Sequence, residues 1–462
     1  MSASARSALE KMRARGVDAR AVRTFEHYWN ELAAGAQGVV HESEIAPLDR
    51  VPELDDVECT EEEAREALTR TAIVKLNGGL GTSMGMTGPK SALVVHDGLS
   101  FLDLTARQVR ALRHEHGVEV PLVLMNSFRT RAASLEILGR YPDLAVEGMP
   151  ADFLQNAEPK LRADDLEPVE WPADPDLEWC PPGHGDVYVA LAGSGLLDAL
   201  RERGVRYAFI SNADNLGATC DPTIAAWLHR ESIPFAMEVC ERTRNDRKGG
   251  HVARRMADDR LVLREIAMVA EGEEDLFQDT ARHRYFNTNS IWIDLDVLAA
   301  VLGERDGVLG LPIVVNRKTV DPSDPGSTPV IQIESAMGSA IESFDDARVV
   351  EVPRTRFRPV KTTNELLLLR SDVFEVDEHG RVHGTSERPD PKVSLSSAYK
   401  LVRDFEARFP HGAPSLRRCD SLTVEGDVVF GAGVECVGDV VVVGDGRIAD
   451  GAVLQGRVKA AG

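Results

Sequence analysis

Between Arg20 and Ala33 the apolar residues Val22, Phe25, Trp29 and Leu32 recur at intervals of three and four, which predicts an amphipathic helix with one buried stripe. Residues 1 to about 50 therefore read as helices packed on the body of the protein. Thr60 with Glu63 forms a capping box that opens a further helix, and the acidic run Glu61 to Glu63 suits its N-terminal dipole. From Thr71 the rhythm becomes βαβ. An apolar run from Thr71 to Leu76 is followed by a glycine loop and a second apolar run, Ser91 to Val95. A helix capped by Ser100 and Asp103 comes next, with Leu102, Thr105, Val109 and Leu112 on one face, and then a strand from Pro121 to Met125. This alternation predicts an α/β fold with a doubly wound, mainly parallel sheet. In such sheets ligands bind at the strand C-terminal ends, where Asn126 and Asp214 follow the strands Pro121–Met125 and Tyr207–Ile210. Trp171 to Asp186 and Val320 to Pro329 read as surface loops.

Beyond Glu387 to Lys392, which reads as a linker, the period changes again. Val424, Phe430, Cys436, Val442, Ile448 and Leu454 fall six residues apart, and Leu422, Val428, Val434 and Val440 keep the same step in a second register. A six-residue step with intervening Gly and Asp is the signature of a parallel β-helix, expected here to be left-handed. So short a repeat needs neighbours to bury its ends, so it should dock on the preceding residues or on another subunit; a homo-oligomer is one outcome. Three parts are expected: a helical segment over 1–65, the α/β domain over 66–385, and the β-helix domain over 386–462.

The chain of 462 residues carries 53 Lys and Arg against 75 Asp and Glu, a net charge of −22, which disfavours nucleic acid and anionic membranes as partners. No apolar run approaches the roughly 18 residues of a membrane span, and no secretory signal opens the chain, so a cytoplasmic location is expected. The six cysteines show neither CxxC pairs nor zinc spacing and read as reduced thiols.

The chemistry concentrates between Lys75 and Lys90, KLNGGLGTSMGMTGPK. Gly78, Gly79, Gly81, Gly85 and Gly88 let the backbone bring its N–H groups close to an anion, and Lys90 adds a fixed cation. The spacing GxGxxxG is not the dinucleotide fingerprint, and Pro89 stands where a Walker loop needs Gly before Lys.

This stretch resembles the nucleotide-binding loop of the eukaryotic-type UTP:glucose-1-phosphate uridylyltransferases. Four further blocks are similar in the same order: CPPGHGD (Cys180 to Asp186), SNADNLGA (Ser211 to Ala218), NTNSIW (Asn287 to Trp292) and RFRPVKTTNELLL (Arg356 to Leu368). The resemblance implies a Rossmann-like, GT-A-like nucleotidyltransferase in which glucose 1-phosphate attacks the α-phosphorus of UTP, giving UDP-glucose and pyrophosphate with Mg²⁺. A phosphate monoester is already largely dianionic at neutral pH, so no catalytic triad is needed; what is needed is positive charge and donors around crowded phosphates.

By the same resemblance Lys90, Lys361 and Asp214 carry catalysis, with Asp214 as the Mg²⁺ ligand. Gly79, Leu80, Gly81, Thr82, Met125, Gln155, Gly183 and Asn212 hold the nucleotide, with Gln155 presenting its amide to the uracil. His184, Asn287, Asn289, Glu265 and Glu334 face the sugar, and Lys248 in DRKGG touches phosphate although its preceding residues differ from the family's. Where the family commonly has NTNN this chain ends in Ser290. Two alternatives stay open on sequence: the same chemistry on galactose 1-phosphate or an N-acetylhexosamine 1-phosphate, and a UDP-sugar sensor without turnover. Two retained lysines argue against the sensor, since binding alone has less need of transition-state cations.

Overall fold

The computed structural model describes residues 2–36, 38–243, 246–386 and 388–462. Among these, a ten-stranded sheet organises the chain. Its centre is parallel: Tyr207–Asn212, Thr71–Asn77, Leu122–Asn126 and Asp152–Leu154 lie side by side in that order. Alternate residues of these strands feed two cores. Val74, Val123 and Ile210 pack with Val22, Phe25 and Trp29 on one face, whereas Ile73, Leu124 and Phe209 pack with Leu102, Val109 and Trp227 on the other. A sheet covered on both faces reads as continuous apolar strands, as a parallel centre should.

The sheet is mixed. Tyr285–Asp294 lies antiparallel to Tyr207–Asn212, and Phe235–Glu241, His251–Arg255 and Ile45–Pro47 extend that half with antiparallel pairs. Tyr285–Asp294 is buried almost throughout, so its apolar run does not distinguish it from a parallel strand. The N-terminal residues form helices Ala3–Ala14 and Ala19–Ala33. Val22, Phe25 and Trp29 are buried and Leu32 packs partly against the same core, each buried large side chain contributing about 1.5–3 kcal/mol. The capping boxes form as written: Glu63 N–H donates to Thr60 Oγ1 at 3.2 Å and Asp103 N–H to Ser100 Oγ at 3.1 Å. The apolar run Ser91 to Val95 differs from a sheet strand; it forms a 3₁₀ turn, Lys90–Ala92, and a short hairpin of Val94–His96 with Leu99–Ser100.

Of the expected linker Glu387–Lys392, Glu387 lies outside the described residues and Lys392 already opens a strand. From there Lys392–Leu395, Ser415–Glu425, Glu435–Val443 and Val453–Lys459 stack as parallel strands, and Val428–Phe430 stacks on Gly446–Ile448. Equivalent positions lie 18 residues apart, three of the six-residue steps. All ten apolar residues of the two registers are buried. One cluster runs from Met84, Leu93 and Phe101 through Leu366 and Leu367 to Tyr399, Phe405 and Phe430, so the coils pack against the back of the glycine loop. No helix among the described residues is long and apolar enough to cross a membrane.

Candidate active site

The glycine loop leaves the sheet at Asn77 and folds back on itself, the Lys90 N–H donating to the Gly79 carbonyl at 3.1 Å. Gly85 sits in the left-handed region at φ +74, which a side chain would strain. A Cβ on Gly78 would stand 2.4 Å from Gln155 Oε1, so the Gln155 amide lies directly on the loop. Gly79 faces open space, with no neighbouring atom within 4 Å of where a Cβ would stand. The Thr82 N–H already donates to the Leu80 carbonyl at 2.6 Å, which leaves the amides preceding it as the stronger donor candidates.

Lys90 Nζ lies 2.6 Å from Asp214 Oδ2, and both side chains are about one-fifth exposed, 20% and 19%. Asp214 follows the strand Tyr207–Asn212, whose last residue, Asn212, pairs with Leu76. The next residue, Asn215, explains how RFRPVK reaches the site. Its Oδ1 accepts from Arg358 N–H at 2.8 Å, its Nδ2 donates to the Arg356 carbonyl at 3.1 Å, and its backbone bridges to Pro359. Val360 N–H then donates to the Asp214 carbonyl at 3.3 Å, so Lys361 is the residue immediately after the contact. Lys361 itself is exposed.

A second group gathers opposite. Asn289, at φ +57, accepts through Oδ1 from Asn287 Nδ2 at 2.9 Å and donates its N–H to Asn287 Oδ1 at 2.8 Å. Burial pushes the Glu265 carboxyl up, while Lys361 and a hydrogen bond with Asn287 pull it back down. Gly250 abuts that carboxylate, since a Cβ there would meet it at 2.4 Å. Lys248 is exposed in the turn just before Gly250.

The third wall is the CPPGHGD loop. Gly183, at φ +82, lies over Ser335 and Glu334; a Cβ would come 2.6 Å from the Ser335 carbonyl. His184 Nδ1 accepts from Met337 N–H at 2.9 Å, and burial pulls the imidazole down to about 4. The ring is therefore neutral near pH 7 with its proton on Nε2, a donor. Met337 adjoins Gly338, where a Cβ would stand 2.9 Å from Asn287 Nδ2, which closes the circuit between the second and third walls. Glu334 lies 3.7 Å from Lys318.

Two residues differ from their expected surroundings. Met125 is buried in the core, and Asn126 is fully buried, accepting from Asn77 Nδ2 at 2.7 Å and donating to Asp152 at 3.1 Å. Both support the strand ends from beneath. Beneath the site also lies an ion pair without a role in the sequence reading: Arg356 grips Glu238 through Nε at 2.8 Å and a terminal nitrogen at 2.7 Å, and Trp292 Nε1 donates to Glu238 at 3.0 Å. A glutamate inside the apolar run FAMEVCE was its only signal, because a buried carboxylate requires a partner.

Residues 22–436 match the family described as UTP–glucose-1-phosphate uridylyltransferase. The chain belongs to this uridylyltransferase family. It is 37% identical over 442 residues to the probable UTP–glucose-1-phosphate uridylyltransferase of Schizosaccharomyces pombe, covering 94% of this chain and 86% of that protein. It is 39% identical to the Saccharomyces cerevisiae UTP–glucose-1-phosphate uridylyltransferase, with 85% and 78% covered. Among solved structures, a point mutant of the UDP-glucose pyrophosphorylase of Leishmania major in complex with UDP-glucose is 41% identical with a TM-score of 0.92, over 100% of this chain and 99% of that one. The structure of a Trypanosoma brucei UDP-glucose phosphorylase is 44% identical with a TM-score of 0.89, over 99% and 100%. The family and these uridylyltransferases match a chain whose charged residues converge where the sheet's parallel strands end.

Proposed function

We propose that this chain transfers the uridylyl group of UTP to α-D-glucose 1-phosphate, releasing pyrophosphate and UDP-glucose in a reversible reaction. The observation that carries the reading is the convergence of Lys90, Asp214 and the segment bearing Lys361 on one strand end, with Lys90 2.6 Å from Asp214. A lysine and a carboxylate in contact, flanked by a glycine loop, suit a triphosphate. Lys90 turns to the β- and γ-phosphates when UTP enters, and the amides of Gly79 to Gly81 donate to the same oxygens. Thr82 adds its hydroxyl, and Leu80 packs on the base.

Gln155 holds the uracil edge, Gly183 leaves room for the ring, and Met125 and Asn212 support the pocket. His184, Asn287 and Asn289 bind hexose hydroxyls with Glu265 and Glu334, because sugars are well matched by amide and carboxylate partners. The sugar phosphate attacks in line, and Lys361 neutralises charge between nucleophile and α-phosphate while Lys248 contacts phosphate.

Asp214 is the proposed Mg²⁺ ligand. Among the described residues no three His, Cys, Asp or Glu side chains cluster to hold an ion by themselves. A single carboxylate fits Mg²⁺, which usually takes one or two carboxylates and completes its octahedron with phosphate oxygens and water. When bound, Mg²⁺ would supply charge neutralisation on the triphosphate.

We extend the same reading to organisation: a helical segment over 1–65, the catalytic domain over 66–385 and a left-handed parallel β-helix over 386–462, in a cytoplasmic enzyme. The 18-residue stacking period supports the β-helix. Release of labelled UTP from UDP-glucose and pyrophosphate with Mg²⁺ added tests the function; absence of exchange overturns it. Relative kcat/KM over glucose, galactose and N-acetylhexosamine 1-phosphates tests the sugar.

A further inference from the structure

On the helix side of the sheet, behind the turn that carries Asp214, lies a cavity of about 230 Å³ outside the proposed substrate site. Ile73, Val109 and Leu112 give it aliphatic walls, and Lys75 stands among the residues that line it. Lys75 is only 3% exposed. It donates to Ser211 Oγ at 2.7 Å and to the Ala218 carbonyl at 2.6 Å, with the Phe209 ring 5.5 Å away. Among the described residues no carboxylate pairs with it, and an ammonium has a third N–H to give. Burial accordingly pulls the amine down to about 7.

A buried amine without a counter-ion, at the edge of an apolar cavity, suits an occupant that brings the missing negative charge. We infer that this cavity is a second ligand site, for a small monocarboxylic acid with a short aliphatic body. A dianion such as inorganic phosphate suits it poorly, because one free N–H cannot satisfy three oxygens, and the other charged groups of the lining are already engaged. Glu115 is paired with Arg381, and Asp221 is spent on the helix that begins at Pro222 and on Arg356.

The site bears on the catalytic strand end. Lys75 holds Ala218 and Gln108 Nε2 holds the Leu216 carbonyl at 3.1 Å, so both fix the turn that follows Asp214. An acid that draws Lys75 toward itself loosens that hold.

The test is calorimetric titration of the full chain with 4-methylpentanoate at about pH 8, in two buffers of different ionisation enthalpy. Saturable binding of one molecule per chain is expected, with proton uptake as Lys75 charges. Binding should weaken at least about tenfold for 4-methylpentanamide and for Lys75→Met, the scale of one lost charge-assisted hydrogen bond. Val109→Phe, which fills the cavity and leaves Lys75 in place, should weaken it as much and serves should Lys75→Met fail to fold. Absence of saturable binding, binding without proton uptake, or equal affinity in Val109→Phe overturns the proposal, as does tighter binding of inorganic phosphate.

Discussion

Lys90 Nζ and Asp214 Oδ2 lie 2.6 Å apart, joining the end of the glycine loop to the end of a neighbouring strand. In the proposed reaction each group satisfies the other until a triphosphate and a cation separate them. A pair this exposed contributes only about 0–1 kcal/mol to stability, so its value is in placement. Asp214→Ala and Lys361→Ala should each lower kcat by roughly 10²–10³ with Tm nearly unchanged, as for other preorganised electrostatic groups. Steady-state kinetics with a melting curve check this; near-normal turnover in either variant removes that residue from the mechanism.

Two glycines separate binding from folding. Gly78→Ala presses on the end of the flexible Gln155 side chain, so KM for UTP should rise about tenfold with little change in Tm. Gly183→Ala meets the Ser335 backbone carbonyl at a positive φ and should destabilise the fold by about 1–3 kcal/mol. Comparing KM and denaturation midpoints distinguishes the two; equal behaviour contradicts the packing described.

The Glu238–Arg356 pair is buried, with Glu238 fully enclosed. Removing one partner strands the other's charge, so Arg356→Met should cost about 3–5 kcal/mol in urea denaturation. A loss under about 1 kcal/mol would mean that water reaches the pair.

His184 is neutral in the fold down to about 4 but protonates near its ordinary 6.5 when unfolded. Between those values the unfolded state binds the extra proton, so this group's contribution to stability is full above about pH 6.5 and is lost as pH falls toward about 4. His184→Gln keeps an acceptor for the Met337 N–H and should flatten that part of the stability–pH curve. An unchanged slope contradicts a neutral buried imidazole.

The glycine loop and the two lysines proposed for catalysis stood out as candidates because their residue types are extreme: clustered glycines, and lysines within distinctive blocks. The six-residue step of the C-terminal coils was legible for a similar reason, since each step from Val424 to Leu454 buries one residue. The antiparallel half of the sheet was not. Tyr285–Asp294 is buried on both faces, and direction leaves no mark on an apolar run. Nor could sequence reveal that Asn215 suspends the RFRPVK segment or that Glu238 awaits Arg356, because those partners lie 143 and 118 residues away.

The most direct test is a crystal soaked with UTP and Mg²⁺, read at Lys90 and Asp214. The triphosphate is expected over Gly79 to Gly81, with Lys90 turned from Asp214 to the β- and γ-phosphates and a cation beside the freed carboxylate. A triphosphate bound elsewhere, with the Lys90–Asp214 contact intact at 2.6 Å, would contradict the proposed mechanism.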